Sequence, residues 1–194
     1  EIGVRLVGSE MCIRDRLNSK TIDCIWNGMT ATDELKNQIN FSSAYMNNSQ
    51  VAVIRKADAA KYKDLASMSG AKVVAEAGSA GEIAVKADAG LSKSYLPVKD
   101  QGTSLMEVKS KTADIAIIDA VTAAGSIGEG TDYDDLMIVD VISSADSEVY
   151  AVGIRKSDTE LTAKINAAIK ELYDDGTLAK LAEKYNLSGR VIAQ

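Results

Sequence analysis

Thr21 to Ile54 reads TIDCIWNGMTATDELKNQINFSSAYMNNSQVAVI, and the turn at its centre, Asn27-Gly28-Met29-Thr30-Ala31-Thr32-Asp33-Glu34, carries most of the argument about fold and use. Ile22, Cys24 and Trp26 alternate with Asp23 and Ile25 in a short run suited to a buried strand. Gly28 then lets the backbone come close to something else. Thr32 predicts a helix N-cap, with Asp33 and Glu34 in the first turn, where negative charge is favourable. The Asn, Gly and Thr groups between strand and helix present carbonyl, amide and hydroxyl functions at one spot, as sites for small polar solutes do. On spacing alone the stretch is an ordinary strand-to-helix connection sooner than a site, because short polar motifs match often by chance.

Outward from this turn, strands alternate with helices in the manner of an α/β protein. Beyond Ile54 comes a charged stretch, Arg55 to Lys63, and a short helix at Leu65 to Met68 closed by Gly70. Strands are predicted at Lys72 to Glu76, Lys93 to Val98, Ala113 to Ile118, Leu136 to Ile142 and Glu148 to Ile154. Helices are predicted at Ala80 to Ala89, from a Thr103 cap to Val108, at Ala120 to Ile127, from Asp158 along the face Leu161, Ile165, Ala168, Ile169 and Leu172, and at Leu178 to Tyr185. No internal repeat, linker or low-complexity tract is visible.

Composition narrows the function. The 194 residues are 46% hydrophobic, enough for one or two modest cores. Lys and Arg number 22 against 28 Asp and Glu, a net charge of −6 with no basic run, which argues against nucleic acid and anionic membranes as partners. No apolar stretch approaches the length of a membrane span. With no histidine at all, histidine-based triads and histidine-ligated zinc are excluded. Of two cysteines, Cys24 sits in the first strand and reads as a structural thiol sooner than a reactive one. No cofactor or metal is expected.

Two further elements carry chemistry. Ala77-Gly78-Ser79-Ala80-Gly81-Glu82 follows a strand and heads a helix, where free N–H groups and the helix dipole offer a seat for an anion. A plain glycine-rich turn explains the motif equally well. Asp119 closes the apolar strand Ala113 to Ile118, and open α/β sheets bind ligands beyond the carboxyl ends of their strands. Asp119 could equally cap the following helix, and Asp114, at the strand's start, reads as structural.

The order of residues adds a resemblance. Asp23, Gly28, Thr30, Thr32, Phe41, Ser42 and Tyr45 fall in register with a D-x-x-x-x-G-x-T-x-T-x-E/D-R-x-x-x-x-x-F-S-x-x-Y signature, and the segments Lys72 to Glu82, Ala113 to Asp119 and Leu172 to Tyr185 continue it. From Leu17 to Leu187 the chain resembles the family 3 extracellular solute-binding proteins, the receptors of amino-acid ABC transporters. The resemblance implies a type 2 periplasmic-binding-protein fold: two α/β lobes joined by two crossover strands, near Asn48 to Val53 and Tyr150 to Ile154. Lobe one would comprise residues 17–52 and 149–194, and lobe two residues 53–148. It implies that Asp119 accepts a ligand ammonium, helped by the carbonyls of Asn27 and Gly28. Thr30, Ser79, Ala80 and Gly81 would hold the carboxylate, the lobes closing over a zwitterion.

The expected function is therefore a monomeric extracytoplasmic receptor, in the periplasm or lipid-anchored on the outer face of the membrane, delivering an amino acid or related solute to an ABC permease. It would not be an enzyme. The alternatives are a dehydratase-like enzyme on the same fold, with Glu76, Glu82 or Asp119 as the acid, and a sensory domain of a membrane receptor. One departure is Leu35, where the family carries an arginine that forks onto the ligand carboxylate; restoring it as Leu35→Arg is expected to tighten binding. Trp26 and Tyr45 are expected to pack in the core sooner than to line a pocket.

Residues 1–16 read differently. Leu6 to Asp15, LVGSEMCIRD, can be back-translated into a string resembling a transposon-type sequencing adapter, and Arg5, Arg16 and Glu1-Ile2 fit its flanks, with Gly3-Val4 as a variable index. The expectation is that these residues are not native and form no regular part of the fold. The alternative is a genuine strand at Ile2 to Val7. On the adapter reading the chain is a fragment whose lobe one is incomplete, without its signal peptide, first strand and helix.

Overall fold

The computed structural model describes residues 10–142, 148–185 and 187–194. In chain order the elements begin α1 (Glu10–Asn18), β1 (Cys24–Ile25), α2 (Asp33–Gln38), β2 (Asn40–Phe41), β3 (Met46–Asn48) and β4 (Gln50–Arg55). They continue through β5 (Val73–Glu76), α3 (Ala80–Ala87), β6 (Tyr95–Val98), α4 (Gln101–Lys109), β7 (Ile115–Asp119), α5 (Ala120–Ser126) and β8 (Leu136–Val141). The last are β9 (Glu148–Tyr150), β10 (Gly153–Ile154), α6 (Thr159–Asp174) and α7 (Thr177–Lys184). Two compact units result: one contains Ser49–Asp146, the other Ile13–Asn48 with Ser147–Gln194. They are called here the Asp119 unit and the Gly28 unit.

The Asp119 unit is built on a five-stranded sheet, β6-β5-β7-β4-β8, in which β5 runs parallel to β6 and β7 while β4 is antiparallel to β7 and β8. β7 is buried along its whole length, as the unbroken apolar run predicts for a central strand covered on both faces. Its alternate side chains feed two cores. Ala116 and Ile118 pack with Val51, Val53, Leu105 and Val108 on one face; Ile115 and Ile117 pack with Ala75, Val85 and Leu91 on the other.

The Gly28 unit has a shorter sheet, β1-β10-β2, and a two-stranded ladder, β3-β9. Leu17, Ile25, Met29, Leu35 and Ile39 form one core; Val152, Ile154 and Ile169 form another, against which Cys24, Tyr45, Leu161, Ile165 and Leu178 pack. The amphipathic face read in α6 is thus placed as its spacing predicts at Leu161, Ile165 and Ile169, whereas Ala168 and Leu172, expected on the same face, are exposed.

Each unit contains the same corner. Ser19-Lys20-Thr21-Ile22-Asp23 links α1 to β1, and Ser110-Lys111-Thr112-Ala113-Asp114 links α4 to β7. Both lysines take positive φ, 62° and 68°, the left-handed exit common after a helix. In each the serine Oγ meets the threonine Oγ1, at 3.2 and 3.1 Å. An arginine then grips the corner. Arg55 Nη1 donates to the carbonyls of Val108 and Ala113, Nη2 to Asp114 at 3.2 Å, and Nε to Asp58 at 2.6 Å. Arg155 does the same with Leu17, Ile22, Asp23 at 2.9 Å and Asp158 at 2.7 Å. Strand register agrees too: Ile25 pairs with Gly153 as Ala116 pairs with Val53.

The expectation of no internal repeat is therefore corrected. The repeated elements share only short identities, S-K-T-x-D and I-R-K-x-D, and lie at different spacings along the chain, 91 residues apart for the first and 100 for the second.

Other expectations change as well. Glu10 to Arg16 are helical, so the described part of residues 1–16 does form regular structure; residues 1–9, including the alternative strand at Ile2 to Val7, lie outside the described residues. The cause is local: Ile13 and Leu17, one turn apart, pack on the Ile25, Met29, Leu35 and Ile39 core. The strand expected over Ile22 to Trp26 is only Cys24–Ile25. The strand expected over Glu148 to Ile154 is divided, because Ser42 Oγ accepts from the Val152 amide at 2.9 Å in place of a ladder carbonyl. The cap of α4 is Asp100, whose carboxylate takes the Thr103 amide at 2.6 Å.

Candidate functional site

Asp119 lies at the carboxyl end of β7, at the N-cap position of α5, and is only 7% exposed. Its side chain makes no capping bond to α5, whose first amide, Ala120 N–H, instead donates to the Ser49 carbonyl at 2.8 Å. The carboxylate is turned to two glutamine amides. Gln50 Nε2 donates to Oδ1 at 2.7 Å and Gln101 Nε2 donates to Oδ2 at 2.5 Å. Gln101 Oε1 accepts the Asp119 backbone N–H at 3.1 Å, so one side-chain amide holds both ends of this residue. Asp114 is structural, as read: it takes Arg55 and the Lys72 amide.

The Gly78 turn is placed in the same unit. Gly78 has φ +80°, and Ser79 caps α3, accepting the Glu82 amide at 3.2 Å and donating to the Glu76 carbonyl at 2.8 Å. Glu82 completes the cap, taking the Gly78 amide at 2.8 Å, the Tyr95 hydroxyl at 2.9 Å and Lys86 at 2.9 Å. Burial pushes the Glu82 carboxyl up, but the bonds from Lys86, Gly78 and Tyr95 outweigh it and leave it below its ordinary value. Tyr95 is pushed well above the usual phenol range by burial and then by Glu82. Glu82 is thus committed to the helix cap.

The amides of Ala80 and Gly81 head the helix, with no acceptor among the described residues, which leaves them free to face an anion. Gly81 has a steric reason to be glycine. A methyl group there would sit 3.0 Å from Gln50 Oε1 and 3.0 Å from the Ile117 carbonyl. Gln50 thus fills with its Oε1 the space that a side chain at Gly81 would need, while its Nε2 bonds Asp119.

In the Gly28 unit, Asn27, Gly28 and Thr30 are gathered on one turn. Gly28 has φ +78°, and a Cβ there would lie 3.4 Å from the Tyr150 ring. Thr30 bridges Tyr150 in antiparallel fashion, Ala31 N–H donates to the Val149 carbonyl at 3.0 Å, and Ala151 N–H donates to the Met29 carbonyl at 3.3 Å. Asn27 is exposed, Gly28 and Thr30 half-buried. Thr32 caps α2 as read, its Oγ1 accepting the Leu35 amide at 3.3 Å.

Two side chains here depart from expectation. Trp26 does not pack in the core: it is 57% exposed, its ring 6.0 Å from that of Tyr45, which stands 6.5 Å from Tyr150. Leu35 is buried in the Leu17, Ile25, Met29 and Ile39 core, so an arginine at that position would carry its charge into apolar surroundings instead of toward a ligand. Cys24 is half-buried, and burial, then the Asp23 charge, raises its thiol above the ordinary value. Gln50, Gln101 and Tyr150 were not legible as site residues. The antiparallel pairing of Gln50 with Asp119 would have singled out the first of them. Among the described residues no group of three or more His, Cys, Asp or Glu could hold a metal, and no helix is long and apolar enough to cross a membrane.

Comparison with known proteins gives the family and the fold. The sequence profile of the bacterial extracellular solute-binding proteins, family 3, matches residues 4–188. The arginine-binding extracellular protein ArtP of Bacillus subtilis (strain 168) is 34% identical over 173 residues, covering 87% of this chain and 65% of that protein. The chain thus spans less than two thirds of the length of this relative. A mutant of ArgBP from T. maritima superposes with a TM-score of 0.78 at 30% identity, covering 91% of this chain and 74% of the other. The ancestral amino acid-binding protein AncCDT-1, a precursor of cyclohexadienyl dehydratase, superposes with a TM-score of 0.76 at 30% identity, covering 89% and 73%.

Proposed function

The chain belongs to the bacterial extracellular solute-binding proteins of family 3, with the type 2 periplasmic-binding-protein fold, and on that premise we propose that it is the substrate-binding receptor of an amino-acid ABC transporter. It works outside the cytoplasmic membrane, as a monomer, and hands its ligand to a permease. The observation that carries this reading is the joining of Asp119 to the head of α3 through Gln50. A buried carboxylate meets the ligand ammonium, while the amides of Ala80 and Gly81 meet its carboxylate; Ser79, expected to bind it too, has its hydroxyl committed to the Glu76 carbonyl and the Glu82 amide and serves as the cap that holds those amides in place. Pairing is required because taking either ion from water uncompensated costs several kcal/mol. Asn27, Gly28 and Thr30 supply carbonyl and hydroxyl groups on their own unit, with Gly28 beside the Tyr150 ring and Thr30 bridged to the Tyr150 backbone.

The proposed lobes, residues 17–52 with 149–194 and 53–148, differ from the two compact units chiefly at the crossover residues 49–52, which pack with the Asp119 unit. Since relatives named for arginine stand among the most similar, arginine heads the ligands to try. The protein is a receptor and not an enzyme: Glu82, one candidate acid, is held by its cap bonds. Titration calorimetry of the full chain against the common L-amino acids, arginine first, tests the reading; saturable binding of at least one is expected. Silence toward all of them would overturn it. Turnover of a prephenate-like acid would transfer the protein to the dehydratase alternative that the AncCDT-1 likeness raises.

A further inference from the structure

We infer that Gln101 and Gln50 are positioning residues that aim the Asp119 carboxylate at the ligand's ammonium group, so that recognition of the amino group depends on two side-chain amides outside the family signature. The inference rests on the function proposed above and goes beyond it by assigning residues that neither the turn motifs nor the apolar strand single out.

A carboxylate at a strand end can turn about its own side-chain torsions, and the simplest restraint would be a bond to the helix that follows. That restraint is not used: Asp119 occupies the N-cap position of α5 without a side-chain cap, because Ser49 already serves the first helical amide. Gln101 supplies the restraint instead. Its Oε1 holds the Asp119 backbone N–H at 3.1 Å and its Nε2 holds Oδ2 at 2.5 Å, closing a ring of two hydrogen bonds on one residue. Gln101 is in turn set by α4, whose Asp100 cap fixes the first helical turn.

Gln50 restrains the other oxygen. It is 1% exposed, bonds Oδ1 at 2.7 Å, and its Oε1 fills the space that a Cβ at Gly81, on the head of α3, would need, which relates the acidic group to the anion-facing amides. The span between the two must match the short distance separating ammonium from carboxylate in an α-amino acid. Donors to an ionised acceptor are among the stronger hydrogen bonds, and preorganising a charged group before the ligand arrives adds affinity without adding a ligand contact.

The test uses Gln101→Met and Gln50→Met in the full chain with three probes: L-arginine, agmatine, which keeps the ammonium but has no carboxylate, and 5-guanidinopentanoate, which keeps the carboxylate but has no ammonium. Gln101→Met is expected to weaken L-arginine and agmatine about tenfold and to leave 5-guanidinopentanoate within twofold, with Gln50→Met following the same pattern. On an Asp119→Asn background Gln101→Met should add nothing. Equal weakening of all three probes, an additive cycle, or unchanged L-arginine affinity in both variants would overturn the inference while leaving the receptor reading intact. Failure of the unsubstituted protein to bind any amino acid would remove both. Gln101 is half-buried on the first turn of α4, so its variant is expected to melt within a few degrees of the parent, which circular dichroism checks.

Discussion

Asp119 and Gly28 occupy matching places in the two units, each the fifth residue after the aspartate that an arginine grips, yet one carries a buried charge and the other no side chain at all. The partner from the neighbouring strand differs to suit. Gln50, five residues before Arg55, bonds the carboxylate; Tyr150, five before Arg155, lays its ring against the glycine. On the proposed function, the same corner is fitted in one unit for a cation and in the other for close approach of backbone. What varies is one residue at the end of a strand and one facing it, while the corner that positions them is kept.

The largest effect expected from this comparison is on binding. Asp119→Ala makes the Asp119 unit as uncharged at this point as the Gly28 unit, and leaves a ligand ammonium unpaired in a desolvated place. Removing one partner of a buried pair costs about 3–5 kcal/mol, so L-arginine affinity should fall by roughly a hundredfold or more in calorimetry. Retained affinity would show that the charge difference at the two positions has no part in recognition.

Next in size is the grip on the corner itself. Arg55 and Arg155 are equally buried, but Asp114 is 28% exposed where Asp23 is 82% exposed. Solvent screens the second pair more. Arg55→Met strands two carbonyls and two carboxylates and is expected to destabilise by about 3 kcal/mol in urea unfolding. Arg155→Met should cost less. Equal losses would mean that the carbonyl bonds, common to both, outweigh the ion pairs.

A smaller change is expected at Leu35, where the structure reverses what the family pattern suggests. Leu35→Arg places a guanidinium among Leu17, Ile25, Met29 and Ile39. The long stem can carry part of the charge outward, which limits the cost to about 2 kcal/mol. Affinity for amino acids should not rise. A tighter titration with unchanged melting would restore the arginine to a ligand-binding role.

The same comparison explains how much could be read from residues alone. Elements announced by an unbroken apolar run, a cap or a stripe were legible: β7, α2 behind Thr32, and α6; α3 was legible only as the helix headed by the Gly78 turn, its Ser79 cap being a finding of the structure. Asp119 and the Gly78 turn were legible as chemistry because each stands where a strand ends. Gln50 and Gln101 were not, since a glutamine opening a strand or a helix carries no local signal, and their meaning comes from antiparallel register and from the packing of α4 beside β7. Trp26 was misjudged for an instructive reason. Its counterpart, Ile117, is 1% exposed because Ala75 of β5 and Val85 of α3 pack with it, and among the described residues β1 has no such strand and helix beside it. An aromatic side chain reads as core from its chemistry, but burial requires a neighbour.

The finest distinction lies in the two lysines that turn the corner. Lys20 at φ 62° and Lys111 at φ 68° adopt a conformation in which a Cβ crowds the backbone, at a cost of about 1–2 kcal/mol. Glycine adopts it freely, though it loses more entropy on folding. Neither lysine is in an ion pair within 4.0 Å among the described residues, and the serine and threonine on either side, which bond each other and the helix carbonyls, do not depend on the lysine side chain. Lys20→Gly and Lys111→Gly should therefore each stabilise the protein, by about 0.5–1 kcal/mol, as a small rise in the urea midpoint. Because the two turns are built alike, the gains should agree. A gain at Lys111 alone would show that the helix of the Gly28 unit, α1, holds its corner more loosely than α4 does, and so that the repeat is equal in geometry but not in stability.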